Sequence, residues 1–115
     1  MSVHTMQLRP EPFSKIKSGK KTIELRLYDE KRQQIQVGDT ICFVNTENWT
    51  DRITAQVENL FVFPSFAELY RNLSLTECGY EEEELSTASP SDMEQYYSRE
   101  EQVQYGVVGI QLAFL

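Results

Sequence analysis

Residues 15–39 read KIKSGKKTIELRLYDEKRQQIQVGD and combine the signals of a helix end, a strand and a tight turn. Gly19 stands where a left-handed glycine commonly ends a helix. From Thr22 to Tyr28, apolar and polar side chains alternate, which is typical of a strand with one buried face. Gly38 then predicts a turn into another strand. This succession predicts how the first half of the chain is built.

Four more strands are predicted outside this stretch, from alternating or continuous apolar residues. They cover Val3–Leu8, Thr40–Val44, Arg52–Phe63 and Val107–Phe114. Short helices are predicted at Glu11–Ser18, after Ser65 and after Ser89, and the polar residues 48–51 are expected to form a loop. Five mostly antiparallel strands with short flanking helices predict an α+β fold, a small β-barrel. The last strand is apolar on both faces, so we expect it to lie centrally in the sheet.

The length of 115 residues predicts a single domain, residues 1–115. No apolar run is long enough to span a membrane, and the N-terminus lacks the pattern of a secretory signal, so we expect a cytoplasmic protein without membrane partners. Cys42, Cys78 and His4 are too few to form a structural zinc site. We therefore expect no metal and no other cofactor.

Charge is unevenly distributed along this acidic chain, whose formal net charge is -7. Residues 1–40 hold eight Lys and Arg against five Asp and Glu, whereas residues 41–115 hold three against thirteen. Affinity for nucleic-acid phosphates comes largely from basic side chains, so the overall charge argues against coating of a long duplex. A local basic surface in the first third suits a small or single-stranded anionic ligand.

The polar face of the strand in residues 22–28 has two interpretations. Glu24 and Arg26 are two residues apart on the strand, so their side chains share a face and can form an ordinary surface ion pair. If that face lies in a cleft, Arg26 could bind a phosphate or carbonyl oxygen and Glu24 could accept from an amino group of a base. Lys21, just before the strand, could then serve as a general base. Spacing alone leaves both interpretations open.

Other residues are weaker candidates for ligand contacts. Thr22 shares the polar strand face, and Asn45, Ser65 and Tyr97 complete the set of predicted ligand-binding residues. Ser65 is equally well placed to cap a helix, since Glu68 follows three residues later. Tyr96, Tyr97 and Tyr105 could stack on bases or pack in the core. The acidic residues 77–101 could contact a basic protein partner, or could form a solvated surface.

The motif Gly-x-Lys-x-x-Glu-x-Arg, at Gly19, Lys21, Glu24 and Arg26, resembles the signature of the ASCH domain family. The resemblance extends through PEPFSKIKSGKKTIELRLYDEKRQQIQVGDTICF and to the closing YYSREEQVQYGVVGIQL. It implies a β-barrel similar to that of the PUA domain, with a motif-lined cleft between barrel and helices. It also implies that RNA, a nucleotide or a modified nucleoside binds in that cleft.

The resemblance leaves an enzymatic alternative open. Some small bacterial members of the family are amidohydrolases that act on N4-acetylcytidine with a lysine base, a threonine nucleophile and a glutamate acid, and others are ribonucleases. Lys21 matches the lysine, but Glu24 stands at the threonine position, and a carboxylate there requires a different intermediate. Glu68 and Glu77 are the candidates for the acid. If the chain is an enzyme, Lys21 and Glu24 are its expected catalytic residues.

Overall fold

Five strands form one mixed sheet in the computed structural model, which describes residues 1–114. They are β1 (Val3–Leu8), β2 (Ile23–Leu27), β3 (Thr40–Asn45), β4 (Asn48–Phe63) and β5 (Val107–Phe114). Their order across the sheet is β1-β3-β4-β5-β2, with β1 and β3 parallel and the other neighbours antiparallel. The sheet curls into a half-barrel, which confirms the predicted barrel-like and mostly antiparallel fold.

Short helices connect the strands, as the sequence predicted. They are α1 (Pro10–Lys17), α2 (Phe66–Asn72) and α3 (Arg99–Tyr105), with short 3₁₀ helices at Arg32–Gln34, Glu82–Glu84 and Pro90–Gln95. The hydroxyl of Ser65 accepts a hydrogen bond from the backbone N–H of Glu68 and so caps α2. Because Pro90–Gln95 closes only 3₁₀ turns, the helix expected after Ser89 is shorter and tighter than an α-helix.

The predicted polar loop at residues 48–51 is wrong, because these residues begin β4. Asn45 pairs with Asn48 across a hairpin, and the side-chain oxygen of Asn45 accepts from the backbone N–H of Glu47 in the turn. Residues 49–51 bulge out of the strand register, and side chains satisfy part of their backbone: the Thr50 N–H donates to Asn48, and the Nε of Arg52 donates to the carbonyl of Trp49. Polarity in this segment therefore reflected exposure of a projecting hairpin and not the absence of a strand.

The core has two parts, and β5 contributes to both. The first fills the half-barrel beneath α1 and consists of Met6, Leu8, Phe13, Ile16, Ile35, Ile41, Phe43, Ala55, Val57, Val108, Ile110 and Leu112. The second lies between the opposite face of the sheet and α2 and consists of Ile23, Leu25, Phe66, Leu69, Cys78, Met93 and Val107. Strand β5 lies between β4 and β2, as its apolar faces predicted. Burial of large side chains such as Phe43 contributes about 1.5–3 kcal/mol each.

Candidate functional site

A cleft of about 830 Å³ opens beside β1 and β2, the two outer strands of the half-barrel. One wall comes from the end of β1 and from α1, and the opposite wall comes from residues 78–97. The polar and aromatic side chains that line it include Arg9, Lys15, Lys21, Glu24, Arg26, Thr46, Tyr80, Asp92, Tyr96 and Tyr97. The cleft is large enough for a nucleoside or a short oligonucleotide segment.

The carboxylate of Glu24 lies at the centre of a cluster of three charged side chains. Its Oε1 lies 2.8 Å from the Nζ of Lys21, and its Oε2 accepts a hydrogen bond of 2.7 Å from the Nε of Arg26. Glu24 and Arg26 come together because alternate residues of β2 share a face, and Lys21 reaches the same face from the preceding corner. Glu24 is only 3% exposed, so the surface interpretation of this strand face is wrong.

Ionisation of this cluster is governed by the balance between burial and pairing. Burial raises the pKa of Glu24, but the charges of Lys21 and Arg26 and their hydrogen bonds lower it by more, so this pKa lies below its ordinary value. Burial lowers the pKa of Arg26, but the interactions with Glu24 and Tyr97 together raise it by more, so this pKa lies above its ordinary value. With one carboxylate between two cations, the cluster carries an excess of one positive charge.

Arg26 also connects the two outer strands of the sheet. Its Nη2 donates a hydrogen bond of 2.9 Å to the backbone carbonyl of Gln7 in β1, while its own backbone belongs to β2. Within the described residues, β1 pairs only with β3, and β2 pairs only with β5. A single guanidinium therefore spans the open seam of the half-barrel and forms part of the base of the cleft.

The loop at residues 74–80 positions Lys21. Gly79 has a φ of +110°, and a Cβ built there would lie 3.1 Å from the Cδ of Lys21. Lys15 donates a hydrogen bond of 2.7 Å to the carbonyl of Gly79, and the backbone N–H groups of Thr22 and Ile23 donate to the carbonyl of Glu77. The loop and the start of β2 therefore hold each other in place, with the Lys21 side chain directly against the glycine.

Aromatic side chains of residues 78–97 form the opposite wall. Tyr97 is stacked on Phe66 at a centroid separation of 6.2 Å and an interplanar angle of 16°, and burial raises the pKa of its hydroxyl. Tyr80 donates to Asp92 at 2.8 Å and lies 2.6 Å from the hydroxyl of Tyr70. Burial also raises the pKa of Tyr80. These tyrosines are neutral hydrogen-bonding groups on an otherwise packed wall.

The structure brings four of the seven predicted ligand-binding residues to the cleft, namely Lys21, Glu24, Arg26 and Tyr97. It places the other three elsewhere. The hydroxyl of Thr22 donates to Glu77 outside the cleft, Asn45 closes the hairpin between β3 and β4, and Ser65 caps α2. Asn45 and Ser65 make local hydrogen bonds, as Asn and Ser commonly do at turns and helix starts, whereas Thr22 is held by the distant Glu77.

Several lining residues carried no functional signal in the sequence. Lys15 lies in the last turn of α1, where a basic side chain is common, and Tyr80 and Cys78 lie in a segment interpreted as acidic surface. Carboxylates of that segment cap its own turns; Glu84, for example, accepts from the backbone N–H of Glu81. Cys78 is buried, and burial raises the pKa of its thiol to about 12. The acidic composition concealed the fact that this segment forms the second wall.

Two further structural findings concern membranes and metals. Across residues 1–114, no helix combines the length and apolarity required to cross a bilayer. The same part of the chain contains no group of three or more His, Cys, Asp or Glu side chains placed to hold a metal ion.

The fold and the site together define a small half-barrel protein with a polar cleft and a buried basic–acidic–basic cluster at its open seam. The sequence model of the ASCH domain matches residues 6–115. The chain therefore belongs to the ASCH domain family, whose fold is PUA-like and whose members are commonly RNA-binding or hydrolase-like. No curated protein matches the chain.

Solved structures support the same assignment. The hypothetical protein PH0355 is 32% identical over 100% of both chains, with a TM-score of 0.79. Protein PF0455 from Pyrococcus furiosus is 33% identical over 98% of this chain and 97% of its own, with a TM-score of 0.71. The ASCH protein from Zymomonas mobilis has a TM-score of 0.64 over 96% of this chain and 66% of its own. At 19% identity, this last similarity concerns the fold alone.

Proposed function

We propose that this protein binds RNA, a nucleotide or a modified nucleoside in the cleft built around Lys21, Glu24 and Arg26. The observation that carries the proposal is the convergence of these three side chains, at 2.7–2.8 Å, on a concave surface large enough for such a ligand. Lysine and arginine donate to phosphate, ribose and base oxygens, while a carboxylate accepts from exocyclic amino groups. The cluster therefore offers the remaining donors of Lys21 and Arg26 to a base edge, while Glu24, whose two oxygens already accept from these cations, holds them in place and accepts from a ligand only through its remaining lone pairs.

The balance of charge in the cleft indicates how large the ligand's charge can be. Four basic side chains line it, and so do four carboxylates: Arg9, Lys15, Lys21, Arg26, Glu11, Glu24, Glu84 and Asp92. A duplex or a polyphosphate requires a surplus of cations, which this cleft lacks. A ligand with little or no charge, such as a nucleoside, fits the balance best, and a nucleoside monophosphate or a few residues of single-stranded RNA fit it better than a duplex does.

The hydrolase alternative receives less support from the positions of the nucleophilic side chains. The hydroxyl of Thr22 is directed to Glu77, away from the cleft, and the Cys78 thiol, with its pKa of about 12, is protonated at neutral pH. Glu24 is held by two cations, which stabilise its charge and occupy it. A basic protein partner at residues 77–101 is less favoured, because several of these carboxylates cap turns or line the cleft.

A binding experiment with a matched control tests the proposal. Titration calorimetry with cytidine, N4-acetylcytidine, the four nucleoside monophosphates and short single-stranded RNAs identifies the ligand for the wild type. We expect Lys21→Ala to weaken that binding at least tenfold, because one charge-assisted contact is lost. Lys17→Ala removes the same charge from an exposed lysine outside the cleft, paired with Asp51, and should leave affinity unchanged.

The same samples distinguish binding from turnover. Mass spectrometry after incubation detects any product formed from N4-acetylcytidine or RNA. Product that appears with the wild type and disappears with Lys21→Ala would replace the binding proposal by the hydrolase. The binding proposal would be refuted if the wild type bound none of these ligands, or if Lys21→Ala bound them with the affinity of the wild type. Thermal unfolding of both variants shows whether each remains folded.

A further inference from the structure

Arg9 and Tyr96 meet across the mouth of the cleft. The guanidinium carbon of Arg9 lies 5.4 Å from the centre of the Tyr96 ring, and both side chains line the cleft. Arg9 stands between β1 and α1, whereas Tyr96 follows the turn at Pro90–Gln95 on the opposite wall. The pair therefore joins the two walls of the cleft, which the hydrogen bond from Lys15 to the carbonyl of Gly79 also connects.

Tyr96 is held in position by its backbone and its neighbour, while its ring stays open to solvent. Its N–H donates to the carbonyl of Met93 at 3.1 Å, and the adjacent Tyr97 is packed against Phe66. The ring of Tyr96 is nevertheless 49% exposed. An aromatic side chain on an anchored backbone, with its ring lining a cleft and not buried in the core, is suited to stack on a planar ligand.

The backbone of Arg9 is anchored by a hydrogen bond, while its guanidinium group is exposed to solvent. Its carbonyl accepts from the N–H of Phe13 at 3.0 Å in the first turn of α1, and its side chain is exposed. Within residues 1–114, its guanidinium forms no ion pair with a carboxylate within 4.0 Å, and it forms a cation–π contact with the Tyr96 ring. A planar guanidinium can move aside and then stack on a base as readily as on tyrosine.

We propose that Arg9 and Tyr96 form a stacking clamp that receives the base of a nucleoside or nucleotide between the guanidinium and the phenol ring. This inference rests on the proposed function and narrows it. The cluster of Lys21, Glu24 and Arg26 reads the polar edge of the base, and the clamp binds its two faces. The required ligand chemistry is therefore a flat heteroaromatic ring, so a sugar phosphate without a base is a poor ligand.

The strengths of the two interactions favour replacement of the contact between Arg9 and Tyr96 by a bound base. An exposed cation–π contact corresponds to an equilibrium factor of about two to five. Stacking of a base on an aromatic side chain corresponds to a factor of roughly five to one hundred in affinity. Breaking the contact between Arg9 and Tyr96 therefore costs less free energy than base stacking provides, so the bound base replaces that contact.

The test compares ligands with and without a base. Titration of the wild type with cytidine 5′-monophosphate, adenosine 5′-monophosphate and ribose 5-phosphate should show binding of the nucleotides at least tenfold tighter than that of the sugar phosphate. Tyr96→Leu keeps an apolar side chain but removes the aromatic face, and it should weaken this preference at least fivefold, while the contacts of Lys21, Glu24 and Arg26 to the base edge remain. Tyr96→Phe keeps the ring and should retain it. Trp49→Leu, which removes an exposed aromatic ring outside the cleft, is the control for folding and for nonspecific contact.

Each outcome separates the clamp from the broader proposal. Nucleotide binding that Lys21→Ala weakens and Tyr96→Leu leaves unchanged refutes the clamp and retains the proposed function. Equal affinity of the wild type for nucleotides and for ribose 5-phosphate also refutes the clamp alone. Failure of the wild type to bind these ligands, the nucleosides and the short RNAs refutes both. An Arg9→Ala variant should show a smaller loss than Tyr96→Leu but the same direction, and unchanged affinity in it would remove Arg9 from the clamp.

Discussion

Replacement of Glu24 by glutamine tests whether the buried carboxylate holds the cleft together. Glutamine has nearly the same shape but no charge, and it places an amide NH₂ group beside Lys21 or Arg26. One of the two cations then faces a donor where it now faces an acceptor. Two positive charges also remain close together without the carboxylate between them. The variant should therefore be less stable than the wild type.

The size of the effect follows from burial. Removal of one partner from a buried ion pair costs about 3–5 kcal/mol. The side chains of Lys21 and Arg26 each retain 13% of their exposure in the cleft, so water screens them in part, and we expect about 2–3 kcal/mol. The unfolding entropy of about 2.1 cal/mol/K per residue, for 115 residues, makes 1 kcal/mol equivalent to about 4 °C. Glu24→Gln should therefore lower Tm by about 8–12 °C.

Glu94→Gln is the matched control, because it makes the same substitution in an exposed ion pair. Glu94 accepts from Arg99 at 2.8 Å, but the two side chains are 35% and 81% exposed. An exposed pair contributes about 0–1 kcal/mol, so this variant should lose less than about 4 °C. Thermal and urea unfolding followed by circular dichroism measure both variants. Equal losses in the two variants, or no loss in Glu24→Gln, would refute the view that the buried carboxylate stabilises the cluster.

Two other predictions concern Gly79 and Asp39. Gly79→Ala should weaken ligand binding at least tenfold, because the added methyl group displaces the Lys21 side chain. Gly19 also has a positive φ but has open space around it, so Gly19→Ala should lower stability by about 1–2 kcal/mol and leave affinity unchanged. Equal losses of affinity in the two variants would contradict this reasoning. A hydrogen bond from His4, with others from backbone N–H groups, lowers the pKa of Asp39 from 3.8 to about 2, so its stabilising effect is complete above pH 3.8 and is lost as pH falls to about 2. Asp39→Asn should flatten the dependence of the urea midpoint on pH over that window, and a slope equal to that of the wild type would show that Asp39 is not the group responsible.

Local patterns in the sequence predicted the parts of the fold that depend on near neighbours. The alternation in residues 22–28 placed Glu24 and Arg26 on one face, and the spacing of Ser65 and Glu68 predicted the start of α2. Both features depend on side chains two to three residues apart, so a single sequence contains them. The apolar character of Val107–Phe114 likewise predicted its central place in the sheet.

The second wall of the cleft could not be predicted, because it depends on distant contacts. Residues 78–97 contain only short 3₁₀ turns, and no periodic pattern reveals which side chains turn inward. Their position is set by bonds such as those from Thr22 and Ile23 to Glu77, which join residues more than fifty positions apart. Burial of Glu24 follows from this wall, and so the alternation in β2 alone could not distinguish a surface ion pair from a cleft.

In the proposed function, the hydrogen bond to Gln7 and a contact to the ligand draw on the same guanidinium of Arg26. A ligand that takes the Nη2 donor would remove this contact with β1, while the bond from Nε to Glu24 would remain. Ligand binding would then change amide hydrogen exchange. Amide hydrogens near the ends of β1 and β2 would exchange faster, while those of the aromatic wall would exchange more slowly. The contact between Arg26 and Gln7 would in this way link ligand binding to the outer strands without a hinge or a domain movement.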